Sequence, residues 1–223
     1  MSIDVRRASD RFVTRSDGMT THHSFSYGAH YDPTNVGFGP LVALNDEELP
    51  PGTGYDDHRH AATEIVTWVL EGQLQHTDSL GNTDVLEPGT IARAGTGAGI
   101  LHSERATDTK PVRFLQMMLR PEHVDADPSY DVGSVAAAPG LHQVLGPDAM
   151  DLGVPGARLL AGKVEKGDLE LPDAPLVHVF VVSGAVTVGD DQLGPADAAR
   201  LVEEGGRTVA VDEPSTLAVW AFS

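Results

Sequence analysis

Short apolar runs separated by turn residues dominate the hydrophobic pattern of the chain. Each run is rich in β-branched or aromatic residues and is bounded by Gly or Pro, which is typical of β-strands. The runs lie at residues 64–70, 112–118, 177–182, 185–188 and 216–220. Residues 79–82, Ser-Leu-Gly-Asn, are typical of a hairpin turn. Helical periodicity is scarce, so the pattern predicts an all-β fold.

A weak internal repeat suggests that this fold contains two similar units. The sequence WVLEGQL at 68–74 resembles FVVSGAV at 180–186, and LEPG at 86–89 resembles LGPA at 193–196. Because the offset is about half the chain length, we expect two tandem β-barrels. Residues 121–139 carry charge, Pro and three consecutive alanines, and they are interpreted as a linker. The expected domains are therefore an N-terminal barrel over 1–130 and a C-terminal barrel over 131–223.

Composition narrows the classes of function. The 223 residues include no Cys, which excludes disulfide scaffolds, thiolate metal sites and Cys nucleophiles. The formal net charge of −18 argues against direct nucleic-acid binding, because it repels phosphates. No apolar run approaches the roughly 20 residues that a membrane span needs, and residues 1–15 do not resemble a secretory signal. We expect a cytoplasmic, monomeric protein without a membrane partner.

Two pairs of metal-ligand residues lie in strand-like segments. His58 and His60 are separated by one residue, and so are His102 and Glu104. In a strand, residues i and i+2 point to the same face, so each pair can reach one ion. Either pair alone is common without metal, but together they predict a site of three imidazoles and one carboxylate. Such a set leaves one or two coordination positions of a divalent ion open.

Other residues near these pairs have two interpretations each. Glu64 either orients a ligand by a hydrogen bond or simply begins a strand. His76 is interpreted as a buried barrel histidine rather than a fifth ligand. Four bulky residues are candidates for lining an aromatic pocket or for plain core packing: Phe25, Phe38, Met117 and Met118.

These motifs give the chain a resemblance to a known family. Gly52, His58-x-His60, Glu64 and Gly72 resemble the first cupin motif, with seven rather than six residues before the last Gly. More specifically, the chain resembles the pirin family of bicupins, which includes bacterial quercetin 2,3-dioxygenases. The matching stretches include HSFS at 23–26, YDP at 31–33, NVGFGPL at 35–41, EIVTWVLEG at 64–72, DSLGN at 78–82, AGTG at 94–97 and HSE at 102–104.

The resemblance implies a bicupin with one metal ion in the N-terminal barrel, held by His58, His60, His102 and Glu104. It implies iron as the usual metal, with Mn, Co, Ni, Cu or Zn as alternatives. It implies a dioxygenase that cleaves a flavonol into a depside and CO, with Glu104 as a catalytic group that accepts the flavonol proton. The C-terminal barrel is expected to lack metal ligands.

The same resemblance also leaves a second function open, an iron-dependent redox sensor that binds a protein partner. Where the family commonly has Arg-Asp-Met between the second His and the Glu, this chain has Ala61-Ala62-Thr63, and Pro-Gly-Asp is replaced by Pro88-Gly89-Thr90. Because charged groups beside the metal are missing, the sequence alone does not decide whether the chain is an enzyme.

Overall fold

A computed structural model describes residues 1–107 and 110–223 and shows an all-β fold. The strands are β1 (Ser2–Arg6), β2 (Phe12–Ser16), β3 (Met19–His23), β4 (Leu41–Leu49), β5 (Gly54–His60), β6 (Glu64–Glu71), β7 (Leu74–Asp78), β8 (Thr83–Leu86), β9 (Thr90–Gly95), β10 (Ile100–Ala106), β11 (Val112–Leu119), β12 (Ser129–Ser134), β13 (His142–Leu145), β14 (Ala157–Val164), β15 (Gly167–Glu170), β16 (Leu176–Val188), β17 (Asp191–Leu193), β18 (Ala198–Val202) and β19 (Thr208–Phe222). A short 3₁₀ helix covers Ala8–Asp10. Within the described ranges, no helix combines the length and apolar character that crossing a membrane requires.

The predicted all-β class is confirmed, and the apolar runs correspond to strands. The runs at 64–70 and 112–118 become β6 and β11, and the turn at 79–82 joins β7 to β8. The runs at 177–188 form one strand, β16, rather than two. Gly184 adopts a φ of +86° there, and the pairing register with β19 shifts around it. The glycine therefore bends the strand without ending it.

The chain divides into two compact units. The N-terminal unit comprises Phe12–Ser134 and Leu152–Val154, and the C-terminal unit comprises Met1–Arg11, Val135–Asp151 and Pro155–Ser223. The first residues belong to the C-terminal unit because β1 pairs with β18 along its whole length.

The segment 121–139 differs from the expected linker. Ser129–Ser134 forms β12, which pairs antiparallel with β9 inside the N-terminal unit. The β-branched and aromatic residues Tyr130 and Val132 suit this edge strand, although charge and Pro dominate the surrounding composition. A domain boundary at 130/131 stays a prediction.

The N-terminal unit consists of two antiparallel sheets. One has the strand order β12-β9-β6-β11-β4-β3-β2, and the other has the order β5-β10-β7-β8. Strand β6 is buried on both faces. Its residues Ile65, Thr67 and Val69 point into the barrel interior, and the intervening Val66 and Trp68 fill the opposite face. The candidate metal-ligand residues lie on β5 and β10, in the smaller sheet.

The C-terminal unit is built on one eight-stranded sheet, with β16 and β19 at its centre. Its core cluster contains only Val, Leu and Ala side chains, with the positions Val209 and Val211 among them. By the offset of the internal repeat, these two valines fall near the positions that His102 and Glu104 hold in the N-terminal unit. The described core of this unit therefore offers aliphatic packing at the equivalent place.

Candidate metal centre

Strands β5 and β10 bring the two predicted pairs together. The strands are antiparallel, with His58 opposite His102 and His60 opposite Ile100. The ring centroids lie 4.4 Å apart for His58 and His102, 4.8 Å for His58 and His60, and 5.1 Å for His60 and His102. The imidazoles of His58 and His60, which alternate along β5, thus converge with that of His102 on β10.

A register shift between β5 and β10 also places Tyr55 beside the histidines. Between His102 and Glu104 the pairing partner moves from His58 to Tyr55, so β5 carries one extra residue there. In a regular strand, residues three apart point to opposite faces. Because of the bulge, Tyr55 and His58 share the interior face, and the Tyr55 hydroxyl donates to the buried carboxylate of Glu47 at 2.8 Å.

The four predicted residues fall into two groups that share His102. One potential ligand atom from each of His58, His60 and His102 lies within 4.8 Å of the others. A second group, fully buried, is formed in the same way by His76, His102 and Glu104. Glu104 therefore approaches the histidines from the inner side, together with a histidine that the sequence analysis interpreted as core.

The environment keeps the imidazoles of His60 and His102 neutral. Burial, followed by the neighbouring His102 and His58, lowers the pKa of His60 to about 4. Burial likewise lowers the pKa of His102 to about 4, with His58 and His76 contributing. Neutral rings keep a lone pair at neutral pH, and metal coordination requires that lone pair.

Hydrogen bonds fix the position of the Glu104 carboxylate. Thr67 Oγ1 donates to Oε1 at 3.2 Å, and Gln116 Nε2 donates to Oε2 at 2.6 Å. Gly54 lies directly against this segment of β10, and a Cβ at that position would collide with the Glu104 backbone carbonyl. The close approach of β5 to β10 at the site therefore requires glycine.

The donor atoms suit a divalent metal ion. Neither ring nitrogen of the buried His102 has a hydrogen-bond partner among the described residues, although a buried polar atom without a partner is costly. The Nδ1 of His58 donates to the Asp56 carbonyl at 2.7 Å, which leaves its Nε2 with the lone pair. The arrangement of neutral imidazoles and a fixed carboxylate matches the donors that Fe, Mn, Co, Ni, Cu and Zn accept.

Apolar and aromatic side chains adjoin this group. Met118 packs with Ile65 and Ala94 in a cluster that Tyr27 and Tyr130 border. A cavity of about 10 Å³, roughly the room of one water molecule, lies between this cluster and the inner donor group.

The other pocket candidates are placed differently. Met117 is fully buried, but it precedes Met118 on β11 and so points to the opposite face of the sheet. Phe25 is buried, whereas Phe38 is half-buried in the segment before β4.

Glu64 begins β6 and does not reach the imidazoles. Its carboxylate accepts two hydrogen bonds from the buried guanidinium of Arg93, at 2.6 and 2.9 Å, and Arg93 also donates to Ser129 on β12. Of its two interpretations, the structure therefore supports the one in which Glu64 simply begins a strand.

Sequence patterns did not predict four neighbours of the site: Thr67, Gln116, Tyr130 and Glu47. Thr67 and Gln116 come from strands that were predicted, but only the alternation of faces within β6 and β11 hinted that they point inward. Tyr130 lay in the expected linker. No local motif marks any of the four.

Comparison with known proteins agrees with this architecture. The Pirin family model matches residues 5–119. The chain is 38% identical to "Putative quercetin 2,3-dioxygenase Rv0181c" of Mycobacterium tuberculosis, over 98% of this chain and 94% of that protein. It is 30% identical to the quercetin 2,3-dioxygenase of Escherichia coli K12, over 96% and 95% respectively.

A solved structure resembles the fold over nearly its whole length. The bacterial pirin YhhW of Escherichia coli in complex with nickel(II) superposes with a TM-score of 0.93 at 27% identity, covering 99% of both chains. The family match, the full-length relatives and the shared β-fold agree with the resemblance that the motifs indicated. The chain belongs to the Pirin family.

Proposed function

We propose that the N-terminal unit binds one divalent metal ion through His58, His60, His102 and Glu104, and uses it to cleave a flavonol with O₂. The observation that carries this proposal is the convergence of three imidazoles and a fixed carboxylate beside an apolar, aromatic-bordered cluster. Relatives named quercetin 2,3-dioxygenase support the substrate class. The nickel(II) complex of the similar E. coli protein supports a single ion. Fe(II) is our proposal for the ion in the cell, with Mn, Co, Ni, Cu and Zn as alternatives.

The bound ion would supply a Lewis acid and template that favours the deprotonated flavonol and holds it beside O₂. Side chains of the protein position the reacting groups and accept the proton. Thr67 and Gln116 hold the Glu104 carboxylate in place, and Glu104 accepts the proton of the substrate hydroxyl. Met118 and the bordering Tyr27 make this side of the site apolar.

The proposed reaction balances without a further reductant. The flavonol supplies the electrons that reduce O₂, its heterocyclic ring opens, and one ring carbon leaves as CO. The depside retains the other carbon atoms. The stoichiometry is one O₂ consumed and one CO released per flavonol.

Oxygen uptake by untagged, Fe(II)-loaded protein with quercetin tests this proposal. We expect O₂ consumption and CO release in equal amounts, and neither with the His58→Ala/His60→Ala variant. The matched control is His123→Gln, which changes an exposed histidine and should react as the wild type does. Uptake no greater than that of the metal-free protein would overturn the dioxygenase. Elemental analysis of the protein as purified identifies the ion.

The redox sensor is the second candidate, and one feature of the site favours it. His58 and His60 are only half-buried, beside the exposed Asp56 and Asp57, so a change of charge on the ion is felt near the surface. Oxidation of Fe(II) to Fe(III) would add one positive charge there and alter binding of a basic protein partner. Hydrogen exchange at residues 61–63 and 96–99 that differs between the two oxidation states, without flavonol turnover, would favour the sensor. Identical exchange would exclude it.

We further propose that the protein acts as a monomer in the cytoplasm. Sedimentation equilibrium should give a mass near 23.6 kDa, and a dimer mass would contradict this part of the proposal.

A further inference from the structure

Three side chains at the edge of the larger sheet of the N-terminal unit form a hydrogen-bonded chain. Thr14 lies on β2, His23 on β3 and Asn45 on β4, and none of them is among the proposed metal ligands. Strand β3 lies between β2 and β4, and His23 is directly opposite Asn45. His23 and Asn45 are buried, with 3% and 2% of their surface exposed, whereas Thr14 is exposed. The chain therefore runs from the interior of the unit to its surface.

The hydrogen bonds of this chain have a defined direction. His23 Nδ1 donates to Asn45 Oδ1 at 2.9 Å, because an amide oxygen can only accept. The other ring nitrogen, Nε2, therefore carries the lone pair of the neutral ring. It lies 2.8 Å from Thr14 Oγ1 and accepts the hydroxyl proton. A hydroxyl that donates to an imidazole, which a third group orients in turn, is the arrangement that activates a Ser or Thr nucleophile.

A second histidine contacts the same hydroxyl. His30 Nε2 lies 3.1 Å from Thr14 Oγ1. Because the hydroxyl proton is donated to His23, the oxygen accepts here and the Nε2–H of His30 donates. When Thr14 Oγ1 attacks a carbonyl carbon, this N–H lies next to the new bond. It can then donate to the carbonyl oxygen, on which negative charge develops.

Aromatic rings adjoin both histidines. The segment from Tyr27 to His30 is a tight turn whose end residues exchange two backbone hydrogen bonds, each of 3.0 Å. Tyr27 stacks on His23 with ring centroids 5.2 Å apart, and His30 stacks on Phe12 with centroids 5.1 Å apart. Phe12 and Tyr27 are half-buried, so part of each ring is open to a ligand. These surroundings favour a substrate that carries an aromatic group.

We propose that Thr14 and His23 form a second catalytic site, oriented by Asn45, that hydrolyses aryl esters. His23 Nε2 takes the hydroxyl proton while Thr14 Oγ1 bonds to the ester carbonyl carbon. The bond from that carbon to the phenolic oxygen then breaks, and the phenol leaves with the proton from His23. A water molecule, deprotonated by the same imidazole, attacks the acyl group on Thr14 and releases the carboxylic acid. The net reaction consumes one water and no other co-reactant, so it is independent of the metal binding described under Proposed function.

The orienting group determines the kind of ester. Asn45 fixes the tautomer of His23 but, being neutral, does not offset the positive charge that the imidazole gains in the reaction. The leaving group must therefore depart easily, as a phenol does and an alkyl alcohol or an amine does not. Because Thr14 is exposed, the substrate reaches the hydroxyl from solvent.

Hydrolysis of p-nitrophenyl acetate by the untagged protein, as purified and after treatment with EDTA, tests this inference. We expect saturable release of p-nitrophenol above the buffer rate, equal in the two preparations. Thr14→Val and His23→Gln should lower that rate about 100-fold or more, and Thr14→Ser should retain it because the hydroxyl is kept. Peptide mass spectrometry of acid-quenched samples should find an acetyl group on Thr14.

Two variants serve as matched controls. Ser16→Ala removes another exposed hydroxyl of β2, and His22→Gln removes the histidine next to His23, which points to the opposite face of β3. Both should react as the wild type does. Thermal melting verifies that the variants are folded, and the exposed position of Thr14 makes its replacements independent of the buried core.

Three outcomes would overturn the second site. They are a wild-type rate in Thr14→Val, an acetyl group found on other residues but not on Thr14, and no release of p-nitrophenol above the buffer rate. Because the assay is also run after EDTA treatment, each of these outcomes leaves the proposed metal site intact. Loss of flavonol cleavage would in turn leave the esterase assay unchanged.

Discussion

Glu47 lies inside the N-terminal barrel, where burial keeps its carboxyl group largely protonated in mildly acidic solution. Its side chain is 3% exposed and accepts hydrogen bonds from Thr21 Oγ1 at 2.6 Å and Tyr55 Oη at 2.8 Å. Burial is the largest influence and raises the pKa of Glu47 from 4.5 to about 7. The two hydrogen bonds oppose that rise, and the charge of Glu104 adds to it. The group therefore titrates in the folded protein well above its range in the unfolded chain.

The raised pKa of Glu47 makes the stability of the fold depend on pH, because proton binding and folding are linked. A raised pKa means that the folded state binds the proton more tightly, so this group makes folding less favourable as pH rises from 4.5 through about 7. At about 1.4 kcal/mol per pH unit, the full loss is about 3 kcal/mol. Most of it falls between pH 5 and pH 8. Replacing Glu47 by Gln removes the ionisation and keeps an acceptor for Tyr55 or Thr21.

Urea unfolding of the metal-free protein between pH 5 and pH 8 measures this. We expect the stability of Glu47→Gln relative to wild type to increase by about 2–3 kcal/mol over that interval. Glu48→Gln is the control, because Glu48 is the exposed neighbour on the same strand and its replacement should give a constant difference. If the Glu47→Gln difference is also constant with pH, the buried, protonated carboxyl is refuted.

Three further results are expected. Ala62→Gly should stabilise the fold by about 1 kcal/mol in chemical unfolding, because Ala62 is held at a φ of +57°, which glycine adopts without strain; a loss of stability would contradict this. Gln116→Leu removes the donor to Glu104 Oε2 and should weaken metal binding about 10- to 100-fold by calorimetry, while Gln75→Leu on an exposed face should not. A chain ending at Pro214 loses the part of β19 that pairs with β14, so we expect it to melt at a lower temperature, and an unchanged melting curve would be inconsistent with this role.

The regular alternation of side chains along a strand explains why the candidate ligands could be predicted from the sequence. His58 and His60 share a face because alternation along a strand has a period of two residues, and the same holds for His102 and Glu104. This property is local and can be predicted before the fold is known. The all-β class could be predicted for a similar reason, because the residues of a strand and of its flanking turns are local features of the sequence.

Side-chain contacts between strands could not be predicted from the sequence. Gln116 and Thr67 are 12 and 37 residues from Glu104, and nothing near either one marks it as a partner of that carboxylate. His76 and Asp78 alternate on β7 just as His58 and His60 do on β5. Their position opposite β10 comes from the register of the sheet.

Register and bulges depend on the packing of the whole barrel, which short segments do not encode. The extra residue in β5 turns Tyr55 toward Glu47, and the pairing of β1 with β18 joins the first residues of the chain to the C-terminal unit. The sequence by itself determined the all-β class, several of the strands and the family, and it predicted the types of candidate ligand. Only the tertiary structure decided which buried groups surround them, because such groups meet through long-range pairing that is fixed when the sheets close.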